Sequence, residues 1–129
     1  MKKFDNFCKA LENLKKVQNY CEPFDTVTET GIVGLFEICF EQSWKAMKEV
    51  LEEHGYDSSK TGSPKMIIKL AYSSGMIADE GAWLKALSAR NDVVHSYNEQ
   101  IALGIIKNTQ SSFISMFESL RQEIQNNWL

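Results

Sequence analysis

The chain predicts an all-α fold, an up-and-down bundle of four to five helices, on three observations. Apolar residues recur at three- and four-residue steps over most of the length, and no stretch alternates convincingly with period two. The segment boundaries carry helix caps rather than hairpin turns. Two prolines and seven glycines in 129 residues are too few turn formers for a sandwich or a barrel. A single domain over residues 1–129 is expected, long enough to bury a core without disulfides or metals.

Each helix has its own signals. Phe4, Phe7, Cys8, Leu11, Leu14, Val17 and Cys21 form the apolar stripe of the first, which should end at Glu22-Pro23 because the residue before a proline is pushed out of the helical region. Thr26-Val27-Thr28-Glu29 reads as a capping box opening a second helix. Its stripe runs through Ile32, Leu35, Phe36, Cys39, Phe40, Met47, Val50 and Leu51 to His54-Gly55. There the histidine faces the negative end of the helix dipole and the glycine supplies a left-handed cap. Gly31 and Gly34, three apart, would let a neighbouring helix come close; a phosphate loop would need a preceding strand, which the pattern lacks.

Residues 56–63, YDSSKTGS, are the one loop-like stretch of any length. Ser63-Pro64 opens a third helix that reaches about Ser73 and breaks at Gly75. Asp79 caps a fourth, carrying Trp83, Leu84 and Leu87. Asn98 caps a fifth, with Ile101, Ile105, Phe113, Met116, Phe117, Leu120 and Ile124 on its buried face. Trp44 and Trp83 stand at helical spacing from other apolar residues and suit core or interface anchors.

The composition narrows the function. A net charge of −3 argues against a general nucleic-acid coat, so any contact with RNA would be local. Cys8, Cys21 and Cys39 are odd in number and lack CxxC spacing, which fits a reducing cytoplasm better than a disulfide framework or a zinc site. MKKFDNFCKAL has no apolar core after its lysines, so no signal peptide is expected. GIVGLFEICF is too short for a membrane span and is broken by Glu37, so no membrane contact is expected either.

The stretch ARNDVVHSY, Ala89 to Tyr97, carries the chemistry. It holds one of two arginines, Arg90, and one of two histidines, His95. On a helix, Arg90 and Tyr97 differ by about 20° and Asn91 and His95 by about 40°, with Val93 and Val94 beside them as packing residues. Arg90 and His95 are about 140° apart and cannot meet on one straight helix. Either the helix bends or ends between them, or a second surface completes the site; a two-fold homodimer would supply that surface. Histidine suits proton transfer near neutral pH, and the planar guanidinium of arginine suits phosphate. Together they fit phosphodiester cleavage in RNA, with His95 as acid or base and Arg90 stabilising charge on phosphorus. No cofactor is demanded, and one histidine beside Asp92 is not a metal site. The alternative is a polar helix end with caps and solvated groups.

Arg90-Asn91-Asp92-Val93-Val94-His95-Ser96-Tyr97 also resembles the R-x4-H-x-Y pattern of the HEPN superfamily. SWKAMKEVLEEHG (Ser43 to Gly55) is similar to the WK segment of its nucleotidyltransferase substrate-binding protein branch. WLKALSARNDVVHSYNEQIA (Trp83 to Ala102) is similar to that branch's motif helix. The resemblance runs from about Phe4 to Leu120.

It implies a helical bundle that dimerises at the motif and pairs with a minimal nucleotidyltransferase encoded nearby. It further implies a toxin–antitoxin pair in which this chain is a metal-independent endoribonuclease. Arg90 and His95 would then be the catalytic pair, Asn91 a supporting residue and Tyr97 the acceptor of an inhibitory adenylyl group. The alternative is a non-catalytic substrate-binding subunit that docks the nucleotidyltransferase.

Overall fold

The computed structural model describes residues 1–56 and 62–129. Its elements are α1 (Lys2–Lys15) with a 3-10 turn at Lys16–Asn19, α2 (Thr26–Glu53), α3 (Pro64–Ser73), α4 (Glu80–Ser96), α5 (Glu99–Asn108) and α6 (Ile114–Asn127). A π-helical turn, Thr109–Phe113, joins α5 to α6, so the predicted fifth helix is one long rod with a π insertion. No strand occurs among the described residues. The all-α bundle is as the sequence predicts.

The caps follow the sequence closely. Ser63, Asp79 and Asn98 each accept from a backbone N–H three residues on, at Met66, Ala82 and Ile101. Gly55 and Gly75 end α2 and α3 with φ of 84° and 85°, the left-handed region where a side chain would be strained. The expected loop at 56–63 lies largely outside the described residues.

Two boundaries differ. Asp25, not Thr26, caps α2: its Oδ1 accepts from the Thr28 N–H at 2.7 Å, and these amide donors hold its carboxyl below the usual carboxylate range. Aspartate one residue earlier is the stronger cap, which leaves Glu29 too far along the first turn to reach back. The first helix stops at Lys15 and its 3-10 turn, and Cys21 is exposed instead of continuing the stripe. The reason is tertiary. Gln110 of the π turn donates its Nε2 to the carbonyls of Val17 and Tyr20, at 3.1 and 2.9 Å, and so takes up backbone acceptors that a longer helix would have used.

The core is one contiguous cluster around aromatic rings. Phe36 stacks on Phe113 with centroids 5.2 Å apart, and Trp83 meets Phe117 edge-on at 5.4 Å. Phe7 and Phe40 extend the cluster to α1 and along α2. These contacts lock the N-terminal half of α4 into the bundle through Trp83, Ala86 and Leu87. Its C-terminal half leaves the core: from Asn91 to Gln100 only Val93 is half-buried and the rest are exposed. Val94, expected to pack, is 64% exposed.

Gly31 and Gly34 also depart from expectation. A Cβ added at either would meet nothing within 4 Å, so no helix among the described residues approaches them closely.

Candidate active site

Helix α4 runs unbroken from Glu80 to Ser96, and Tyr97 turns out of it with ψ 128°. Arg90 and His95 therefore stay on one helix about 140° apart, and the protomer does not bring them together. Of the alternatives the sequence left open, a bend or break between them is removed.

Arg90 points toward α2. Its Nη2 meets the Glu41 carboxylate at 3.2 Å, and its Nη1 donates to Asn91 Oδ1 at 3.0 Å. Glu41 in turn lies 3.7 Å from Lys45 one turn on. A guanidinium has five N–H donors, and these two bonds leave the others for a phosphate. Asn91 and Glu41 fix the fork from two sides, which narrows the orientations it can adopt. His95 is exposed in the last turn of α4. Tyr97 is 44% exposed and accessible to a reagent in solution.

A cavity of about 410 Å³ lies elsewhere, between the α3–α4 turn and α6, lined in part by Met76, Trp83 and Ser115. None of the motif residues lines it. Concavity thus does not mark the motif; the exposed polar end of α4 is an open surface within the single chain.

A family model described as "Nucleotidyltransferase substrate binding protein like" matches residues 2–126. The chain belongs to this nucleotidyltransferase substrate-binding family. A relative from Haemophilus influenzae named "Probable ribonuclease HepT" is 28% identical over 100 residues, covering 74% of this chain and 68% of the relative. A crystal structure of a protein from Thermus thermophilus superposes with a TM-score of 0.79 at 27% identity, over 93% of this chain and 99% of that one. A second solved structure, from Haemophilus influenzae, is described as the fold of a substrate binding domain of a nucleotidyltransferase. It superposes with a TM-score of 0.80 at 19% identity, over 95% of this chain and 99% of that one, a likeness of fold alone. Membership implies a nucleotidyltransferase partner for this family's chains. No helix among the described residues is long and apolar enough to cross a membrane.

Sequence reasoning missed Glu41. It lies 49 residues from Arg90, and only the crossing of α2 and α4 joins them. The available signal was weak: Glu41 falls on the same α2 face as Gly34 and Ile38, by helical spacing.

Proposed function

We propose that this chain is the HEPN subunit of a two-component pair with a minimal nucleotidyltransferase, and that as a homodimer it cleaves RNA without a metal. The observation that carries the reading is Arg90, held by Glu41 and Asn91 with donors left over, on the same helix end as an exposed His95 that has no partner among the described residues.

The dimer has a natural surface. Val27, Gly31, Gly34 and Ile38 fall within about 60° of one another on α2. Val27 is 82% exposed and Ile38 is 55% exposed, although both are apolar. Val94, one turn beyond Arg90, is a further exposed apolar side chain, 64% exposed, on α4. The open glycines would admit a helix of the partner copy. A two-fold axis near the ends of the two α4 helices would then set Arg90 and His95 of one copy against the same pair of the other.

In that cleft one imidazole takes the proton of a ribose 2′-hydroxyl, whose oxygen attacks phosphorus. The other imidazole protonates the departing 5′-oxygen, leaving a 2′,3′-cyclic phosphate. Arg90 stabilises the charge that builds on the non-bridging oxygens. Adenylylation would silence the site: the Tyr97 oxygen bonds to the α-phosphorus of ATP, pyrophosphate leaves, and the phenolic proton is released. The added phosphate would then offer Arg90 an intramolecular anion in place of substrate.

The test is cleavage of a mixed RNA by purified protein in EDTA, beside His95→Ala prepared identically. Cleavage by the parent and none by a folded, dimeric mutant supports the ribonuclease. If neither cleaves, the non-catalytic subunit that docks a nucleotidyltransferase becomes the better reading. That second reading is favoured by one observation: the family description names substrate binding, not cleavage.

A further inference from the structure

The WK segment of α2, Ser43 to Gly55, supplies none of the motif residues. Helical period explains part of it: Ser43, Ala46, Met47, Val50 and Leu51 are buried in the bundle. Trp44, Lys45, Lys48, Glu49 and Glu52 are left toward the outside, and with Lys3 of α1 they line a cavity of about 330 Å³.

Idle donors set this cavity apart. The ammonium groups of Lys3 and Lys48 form no ion pair among the described residues, and Lys45 has the Glu41 carboxylate at 3.7 Å. The Trp44 indole N–H is shut off from water and has no acceptor among the described residues. A donor left in that state costs stability unless an acceptor reaches it. Of the two carboxylates, Glu49 is engaged by α1: its Oε1 accepts from the backbone N–H groups of Lys3 and Phe4, at 3.0 and 3.4 Å. Glu52 is exposed. Three ammonium groups and an unused N–H suit an anion with several acceptor oxygens.

Glu41 indicates which anion. One of its oxygens faces Lys45 and the other meets Arg90 at 3.2 Å, so a single carboxylate joins the cavity to the motif. Glu41, Lys45 and Lys48 fall within about 60° of one another on α2, which continues a line of positive charge from Arg90 along that helix. We propose that this cavity holds a backbone phosphate of single-stranded RNA next to the bond presented to Arg90. The lysines neutralise the phosphate, and the Trp44 N–H donates to one of its oxygens. Lys3, Lys45 and Lys48 are half-buried, and as the phosphate draws their flexible stems outward the indole edge is uncovered. In a chain of net charge −3, such a short track is the local contact that RNA would need.

The inference rests on RNA being the substrate of the motif, but its test needs no cleavage. Binding of a short fluorescein-labelled single-stranded RNA is measured by anisotropy in the full chain carrying His95→Ala. Adding Lys45→Gln or Lys48→Gln should weaken binding about threefold to tenfold and flatten the slope of log Kd against log salt by about 0.7, one phosphate contact on a single strand. Glu52→Gln should tighten binding about twofold by removing a repulsive charge, and Lys16→Gln beyond the far end of α1 should leave it unchanged. In nitrogen-edited proton NMR spectra, the Trp44 indole signal, identified through Trp44→Phe, should move on adding RNA while those of Trp83 and Trp128 hold still. No RNA binding, unaltered affinity and salt slope in both lysine variants, or a stationary Trp44 signal would overturn the proposal. So would an equal movement given by inorganic phosphate, which makes this a free-anion site, or by an acidic peptide where RNA gives none. Cleavage by the chain with His95 intact separates the two levels. If the lysine variants bind and cleave RNA unchanged, the ribonuclease stands and this site falls. If RNA binds through the lysines and nothing is cleaved, the site stands and the ribonuclease falls.

Discussion

Arg121 and Arg90 are the chain's two arginines, and they sit in opposite circumstances. On the seam between α1 and α6, Arg121 donates to both oxygens of Glu118, at 2.7 and 2.9 Å, and to Glu12 at 2.7 Å. Lys15 approaches the same two carboxylates, so that network is crowded with counter-charges. Arg90 has one carboxylate at 3.2 Å and one amide. The histidines divide the same way. His54 donates from Nε2 to the Trp128 carbonyl at 2.7 Å and meets its indole edge-on, tying α2 to the end of α6. His95 is exposed at the end of α4 with no such partner among the described residues. One arginine–histidine pair is consumed by packing, and the other keeps its donors available. Residue type alone does not distinguish them; saturation of their hydrogen bonds does.

This contrast is tested most severely at the motif. His95→Ala should lower RNA cleavage by about 10²–10⁴-fold with the thermal midpoint unchanged, since it removes proton transfer and no packing. Equal cleavage by mutant and parent, with initial rates measured side by side, would place His95 among the structural residues.

Next comes the seam. Arg121→Ala should destabilise the fold by about 1–2 kcal/mol in urea unfolding, because Glu118 loses a bidentate partner that is mostly buried. Arg90→Ala should cost less than about 1 kcal/mol, as expected for a half-buried ion pair with a single carboxylate. If the two losses came out equal, the distinction between them would fail.

Smaller again is the clasp at the end of α2. His54→Ala should lower stability by about 0.5–1 kcal/mol through one hydrogen bond and one ring contact, and leave cleavage intact.

The smallest effect is a pH dependence. Hydrogen bonding from Arg121 holds the Glu12 carboxyl below its usual range. A depressed carboxylate contributes stability above its unfolded value and loses it as pH falls through its folded value. The parent should therefore lose stability on acidification past the ordinary carboxylate range. Arg121→Ala should show a shallower acid limb, read from urea midpoints across that range.

Much of this was legible in the chain itself. The caps at Ser63, Asp79 and Asn98 are local chemistry, decided within four residues, and the stripes of α2 and the long C-terminal rod are a matter of period. The motif's residues were identifiable for the same reason, because they occupy eight consecutive positions. What escaped the sequence involved partners far along the chain. Glu41 reaches Arg90 across 49 residues, and Gln110 stops the first helix from about 90 residues away. The capping box failed more narrowly, since Asp25 and Thr26 are both good caps and a shift of one residue reassigned Glu29.

That the chain is helical, where its helices begin, and which family its motif belongs to all follow from the order of residues, because caps, periodicity and consecutive side chains are short-range properties. Which arginine and which histidine remain free follows from the assembled bundle instead. So do the outward-facing Val27, Ile38 and Val94. Those outcomes depend on how helices cross, and a crossing is set by the packing of Phe36, Trp83 and Phe117 against one another, not by any run of neighbours in the chain.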